Sequence, residues 1–131
     1  MIVTALYAGL LGLMLITLSV TVIRHRLRAQ VGIGTGQDAA LQRAVRVHAN
    51  FIEYTPLFLL LLLLAEVVSQ QAIVIHLLGA SFLLGRILHA IGLNHSSGTS
   101  APRFAGMILT FLSIAITGLM LVILSILQLL V

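Results

Sequence analysis

The stretch "DAALQRAVRVHANFIEYTPLFLLLLLLAEVV", residues 38–68, decides how this chain folds. From Leu57 onward it is nearly pure leucine, and with the apolar residues before it the run is long enough to cross a bilayer, which takes roughly 20 apolar residues in a helix. The first three turns are different, being polar on one side. On a helix advancing about 100° per residue, Arg43, Arg46, Asn50 and Glu53 are spaced 3, 4 and 3 apart and fall within one stripe about 80° wide. His48 points off that stripe. Asp38 stands where an N-cap belongs. Pro56 lies inside the pattern and should bend the helix, because its ring removes a hydrogen bond to the preceding turn.

The same signature extends in both directions. Of the 131 residues 60% are hydrophobic and only 8% charged, and the mean hydropathy is +1.21, which excludes an ordinary soluble domain. Apolar segments at about 2–23, 39–68, 72–93 and 102–130 give an all-α membrane protein, a four-transmembrane-helix bundle forming one domain over 1–131. The first segment is too long for a signal-peptide core and has no basic segment ahead of it, so it is read as a retained span. "AQVGIGTGQ", residues 29–37, breaks helical patterning and is read as a flexible connector; no strand precedes its glycines, so it is not a phosphate-binding turn. "NHSSGTSAP", residues 94–102, forms a short polar loop, with Ser100 as the cap of the last helix and Pro102 in its first turn.

All seven basic side chains are arginines, set against three acids, and the pI of about 11.3 follows from that imbalance. Five of the seven lie in or beside the first loop and Arg103 lies in the third, while the second loop has none. The positive-inside rule then puts loops one and three in the cytoplasm and both termini outside, in a multi-pass membrane protein. Arginines so placed meet lipid headgroups and set orientation, and no nucleic-acid role is expected. With no cysteine in the chain, disulfides and protein thiolate chemistry are excluded, and any reactive thiol must arrive on a ligand.

The third segment carries "GRILHAIGL", with Arg86 and His89 one turn apart and Arg86 about two turns inside the apolar run. An arginine near a helix centre costs about 2.5 to 3.5 kcal/mol on insertion scales, so it faces a partner or a wet cavity. Glu53 is the expected neutralising partner, either as a plain ion pair holding two helices or as part of a site. Arg43, Arg46, Arg86 and Arg103 exceed what one Glu53 can neutralise. Their pocket suits an anion that also bears an amine: arginine forks match carboxylates, Glu53 matches an ammonium, and Asn50 both donates and accepts.

The combination "RAVRVHANFIEYTP", then "GRILHAIG", then "APR" ahead of the last helix resembles the MAPEG family, the membrane-associated proteins of eicosanoid and glutathione metabolism, in a bacterial-type member. The resemblance covers all four expected helices. It implies a homotrimer with glutathione between neighbouring subunits as co-substrate, and transferase, peroxidase or isomerase activity toward a lipophilic small-molecule substrate. Carried over by matching position, Arg46, Asn50, Glu53, Arg86 and His89 would bind glutathione, and Arg103 would be the catalytic residue that activates its thiol. Three positions depart from better-studied relatives: Leu93 stands for a tyrosine, Ala49 for an arginine and Phe104 for a serine. These departures bear on catalytic rate and on eicosanoid-specific activity more than on fold.

Other features read as structure. Ser81, Gly85 and Gly92 form a small-residue side on which another helix can pack closely. Glu66 marks the outer interface, and Tyr7 and Tyr54 are expected as interfacial anchors, Tyr54 also lying beside the ligand stripe. His25, His76 and His95 show no metal-ligand spacing, and no metal is expected. The alternative to an enzyme is a non-catalytic MAPEG-like membrane protein binding a lipid or a small peptide anion. A proton-coupled exporter of four short helices is disfavoured, because residues 2–23 contain no acid.

Overall fold

A computed structural model describes residues 1–95 and 98–130. The chain forms four helices, α1 (Ile2–Ala29), α2 (Ala39–Ser69), α3 (Ala72–His95) and α4 (Ala101–Leu129), with no strand among the described residues. All four are long and apolar enough to cross a membrane, and the protein is an integral, multi-pass, all-α membrane protein. Short connections make successive helices antiparallel, so the 30–38 loop and the α3–α4 connection share one end of the bundle. Ser96 and Ser97 of the expected polar loop, and Val131, lie outside the described residues.

α1 runs six residues past the expected limit at Ile23. The end of an apolar run marks where lipid stops, and Arg24 to Ala29 continue the helix because arginine, leucine and alanine are strong helix formers and cations suit a helix C-terminus. Gln30 then closes it in the left-handed region (φ 53°), its N–H donating to Arg26 O. The glycine loop is pinned more firmly than a flexible connector: the Arg26 guanidinium donates to the carbonyls of Gly32 (3.1 Å) and Gly34 (2.9 Å). Gly34 has φ +74°, which a side chain would resist. Asp38 caps α2 as expected, accepting from Leu41 N at 2.7 Å. Pro56 stays within α2.

Phe58 and Phe82 stack at 3.8 Å in the core between α2 and α3. The longest seam is α3 against α4, where backbones meet with little side chain between them. A Cβ on Gly85 would come within 2.9 Å of Gly106 O, one on Gly92 within 2.5 Å of Arg103 N, and one on Gly106 within 2.5 Å of His89 N. The buried residues of α4 are Gly106, Thr110, Ser113 and Thr117. Each of the three hydroxyls donates to a carbonyl one turn back, at 2.6–2.8 Å, so no polar atom on that stripe holds the helices apart. Gly85 and Gly92 were legible in the sequence; their counterpart Gly106 was not.

At the opposite end Glu66 does more than mark an interface. Its carboxylate accepts from Val3 N (3.0 Å) and Thr4 N (2.8 Å) and lies 3.0 Å from the Met1 amino group, so a side chain of α2 caps the start of α1. Tyr7 corrects another expectation, being a buried strut and no interfacial anchor. Its hydroxyl donates to His76 O at 3.0 Å, and its ring occupies the space that the missing side chain of Gly79 leaves. His48, off the polar stripe, meets Ser19 Oγ of α1 at 3.0 Å.

Candidate functional site

Where α2 and α4 begin and α3 ends, the helices part into a cleft of about 340 Å³. α2 contributes Ala39, Gln42, Arg43, Arg46 and Asn50 to its walls, α3 contributes His89 and Leu93, and α4 contributes Arg103. The polar stripe of α2 thus faces the ends of the α3–α4 pair. Gly92 lets the first turn of α4 approach α3, which sets where Arg103 stands.

Beneath the wall formed by Asn50 and His89 lies Arg86, 1% exposed. A guanidinium carries donors only. One terminal nitrogen, Nη2, donates to Asn50 Oδ1 at 2.6 Å and also stands 3.5 Å from His89 Nδ1; the other, Nη1, donates to Thr110 Oγ1 at 3.3 Å. These contacts orient their neighbours. Asn50 turns its oxygen to Arg86 and keeps its two N–H donors for the cleft. A guanidinium can only donate, so this contact is a hydrogen bond in the His89 tautomer that carries its proton on Nε2. The Arg86 Cζ also lies 5.8 Å from the centroid of the Tyr54 ring, which sits edge-on to Phe111. Tyr54 therefore serves the buried cation and is no free interfacial anchor.

Among the described residues every hydrogen-bond partner of Arg86 is neutral, and its Nε has none. The expected Arg86–Glu53 pair is therefore no direct contact, and the Glu53 charge acts on the guanidinium only at a distance. Glu53 is exposed, makes no hydrogen bond or ion pair among the described residues, and stands outside the cleft wall. Three residues beyond Asn50, Glu53 stands about 60° around α2 from it and one turn farther from the loop. The shorter amide, one turn closer to the loop, takes the guanidinium instead.

Arg103 donates to Gly98 O at 3.2 Å and lines two spaces at once. One is the polar cleft. The other is an outward-facing hollow walled by Ser100, Phe104 and Met107, largely apolar. Ser100 occupies the expected cap position, but its hydroxyl donates back to Gly92 O at 3.3 Å and caps no N–H of α4. Of the sequence-derived residues, Arg46, Asn50, His89 and Arg103 share the cleft, Arg86 supports it from below, and Glu53 lies beside it. Sequence reading missed Gln42 and Thr110. Gln42 extends the α2 stripe by one turn ahead of Arg46, and Thr110 belongs to the 106, 110, 113, 117 stripe, so both had a readable spacing. Among the described residues no group of histidines and acids could hold a metal.

A model of the MAPEG family matches residues 4–123. The inner membrane protein YecN of Escherichia coli strain K12 is 38% identical over 93 residues, covering 71% of each chain. The protein of the same name from Escherichia coli O6:H1 strain CFT073 matches to the same extent.

Proposed function

The chain belongs to the MAPEG family, and on that premise we propose that its arginine-lined cleft binds glutathione and activates the thiol for attack on a lipophilic electrophile. The observation that carries this reading is the buried Arg86, held by no carboxylate hydrogen bond, under a cleft that is lined by three further arginines. Glutathione has two carboxylates for these arginines and for the N–H donors of Asn50 and His89. It brings one ammonium, for which Glu53 is exposed alongside, and it supplies the thiol that a cysteine-free chain lacks.

Arg103 suits activation because it borders both the polar cleft and the apolar hollow. A cation close to a thiol favours its ionised form, and the proton passes to water. The thiolate sulfur then forms a bond to the electrophilic carbon as the leaving group departs with its electron pair. This is transferase chemistry, and reduction of a lipid hydroperoxide at the expense of two thiols would be its peroxidase counterpart. The family's homotrimer supports the reading, since exposed Glu53 would then reach a neighbouring subunit's ligand. The relative's name supports an inner-membrane location, and arginine placement supports termini outside the cytoplasm.

One observation favours a non-catalytic binder of a lipid or small peptide anion: Leu93 places an alkyl group in the cleft wall, and Arg103 already spends one donor on Gly98 O. The two readings separate in one experiment. Glutathione at about 100 times its dissociation constant should stabilise the detergent-purified protein by about 2.7 kcal/mol, and Arg46→Gln should remove that effect. Arg103→Ala should abolish turnover of a dinitro-substituted aryl chloride while leaving affinity largely intact. Stabilisation without turnover in the wild type would favour the binder, and no stabilisation would reject glutathione as the ligand.

A further inference from the structure

A second hollow, of about 400 Å³, lies between α1 and α3 on another side of α3 from the cleft. Leu10, Met14 and Leu18 of α1 face Leu83, Ile87 and Ile91 of α3 across it, and its lining is almost wholly apolar. By itself such a groove names no occupant. What lies above it does.

Arg28 stands 18 residues beyond Leu10 in an unbroken helix, which is five whole turns and returns it to the same side; Arg24 is about 40° away. The groove's α1 wall therefore runs directly into two arginines at the arginine-rich end of the bundle. Both are exposed, one turn apart, with no hydrogen bond or ion pair among the described residues. Like charges at that spacing repel and favour an anion between them. Arg26, on the opposite side of the helix, is by contrast tied to the loop.

The depth also fits. α1 has 28 residues and is about 42 Å long, against a hydrocarbon thickness of about 30 Å. With Ile2 to Ile23 filling the hydrocarbon, Arg24 and Arg28 stand at the level of lipid phosphates, about 9 to 15 Å along the axis from Leu18. The protein offers little counter-charge of its own. Asp38 caps α2 and Glu66 caps α1 at the far end, which leaves Glu53 alone of the three acids. A second copy of the chain, carrying the same arginine excess, would be a poor neutraliser.

We propose that the α1–α3 groove is a binding site for an anionic phospholipid, one acyl chain lying against Leu10, Met14, Leu18, Leu83, Ile87 and Ile91 and the phosphate between Arg24 and Arg28. A zwitterionic lipid would bring its own cation to the arginines and bind less well. The site is separate from the cleft and stands whether or not the cleft binds glutathione.

The test is native mass spectrometry of delipidated, detergent-purified protein offered phosphatidylglycerol or phosphatidylcholine of identical chains. Phosphatidylglycerol should be retained preferentially, at one lipid per subunit. Arg24→Gln with Arg28→Gln, both at exposed positions, should weaken its retention about 25-fold, at about fivefold per basic side chain near an anionic surface. Ile87→Trp, filling the groove, should weaken it in protein whose copy number is unchanged. Equal retention of the two lipids, or no effect of the double variant, would overturn the proposal. So would competition by glycerol phosphate as strong as by phosphatidylglycerol, because the chain would then contribute nothing. If Ile87→Trp changes the copy number and leaves lipid retention alone, a second copy covers the groove and the proposal fails.

Discussion

Replacing Gly106 by alanine tests the close contact that holds the cleft in shape. The new Cβ would fall 2.5 Å from His89 N and 2.6 Å from Gly85 O, about 0.9 Å short of the 3.4 Å at which ordinary contact begins. Both obstacles are backbone, so no rotamer change relieves them and α3 must move off α4 by most of that distance. Overpacking of this kind costs about 1 to 3 kcal/mol, against about 1 kcal/mol gained from alanine's helix propensity. Gly118 is the matched control, in the same helix with nothing within 4 Å of a built Cβ; Gly118→Ala should be neutral or stabilising by up to about 1 kcal/mol. The expected gap between the variants is about 1 to 3 kcal/mol, read as a difference in unfolding midpoint in a denaturing-detergent titration. The displacement should also stretch the 3.3 Å bond from Arg86 to Thr110 beyond hydrogen-bond range. If Gly106→Ala unfolds together with Gly118→Ala, the two helices do not meet backbone to backbone and the reasoning is wrong.

Two further outcomes follow from the polar contacts. Asn50→Leu should cost about 1.5 to 3 kcal/mol, the range for a hydrogen bond to a charged group, whereas Asn50→Asp should restore that stability by supplying a carboxylate. Equal midpoints for the two variants would mean that Arg86 does not depend on position 50. Glu66→Ala should cost about 1 kcal/mol through loss of the α1 cap, and amide exchange should quicken at Val3 and Thr4 without change in α4; unaltered exchange at those two amides would deny the cap.

Much of this molecule could be read from its residues because lipid imposes few solutions. Uncharged runs of sufficient length have to be helices, and Asp38, Gly85 and Gly92 announce a cap and a close approach by chemistry local to their own helices. The arginine and asparagine stripe was legible for the same reason, since spacing alone sets which residues share a face. What escaped was partnership across helices. Glu66 finds backbone N–H groups more than 60 residues away, and Tyr7 fits a gap left by Gly79; neither is encoded near either partner. Arg86 was correctly expected to need a partner, but charge suggested Glu53, whereas the turn of α2 brings Asn50 to it. Ser100 held its position while its hydroxyl served a different carbonyl. Hydropathy likewise missed the end of α1, because it measures where the solvent changes, not where a helix stops.

The seam between α3 and α4 has a mechanical consequence. Two helices in backbone contact cannot slide past one another without collisions, so the pair resists shear as one plate. α2 faces that plate chiefly through ring and alkyl contacts, and among the described residues the one hydrogen bond fastening it there is Asn50 to Arg86. Any separation of α2 from that plate beside the cleft must therefore strain this one fastener first.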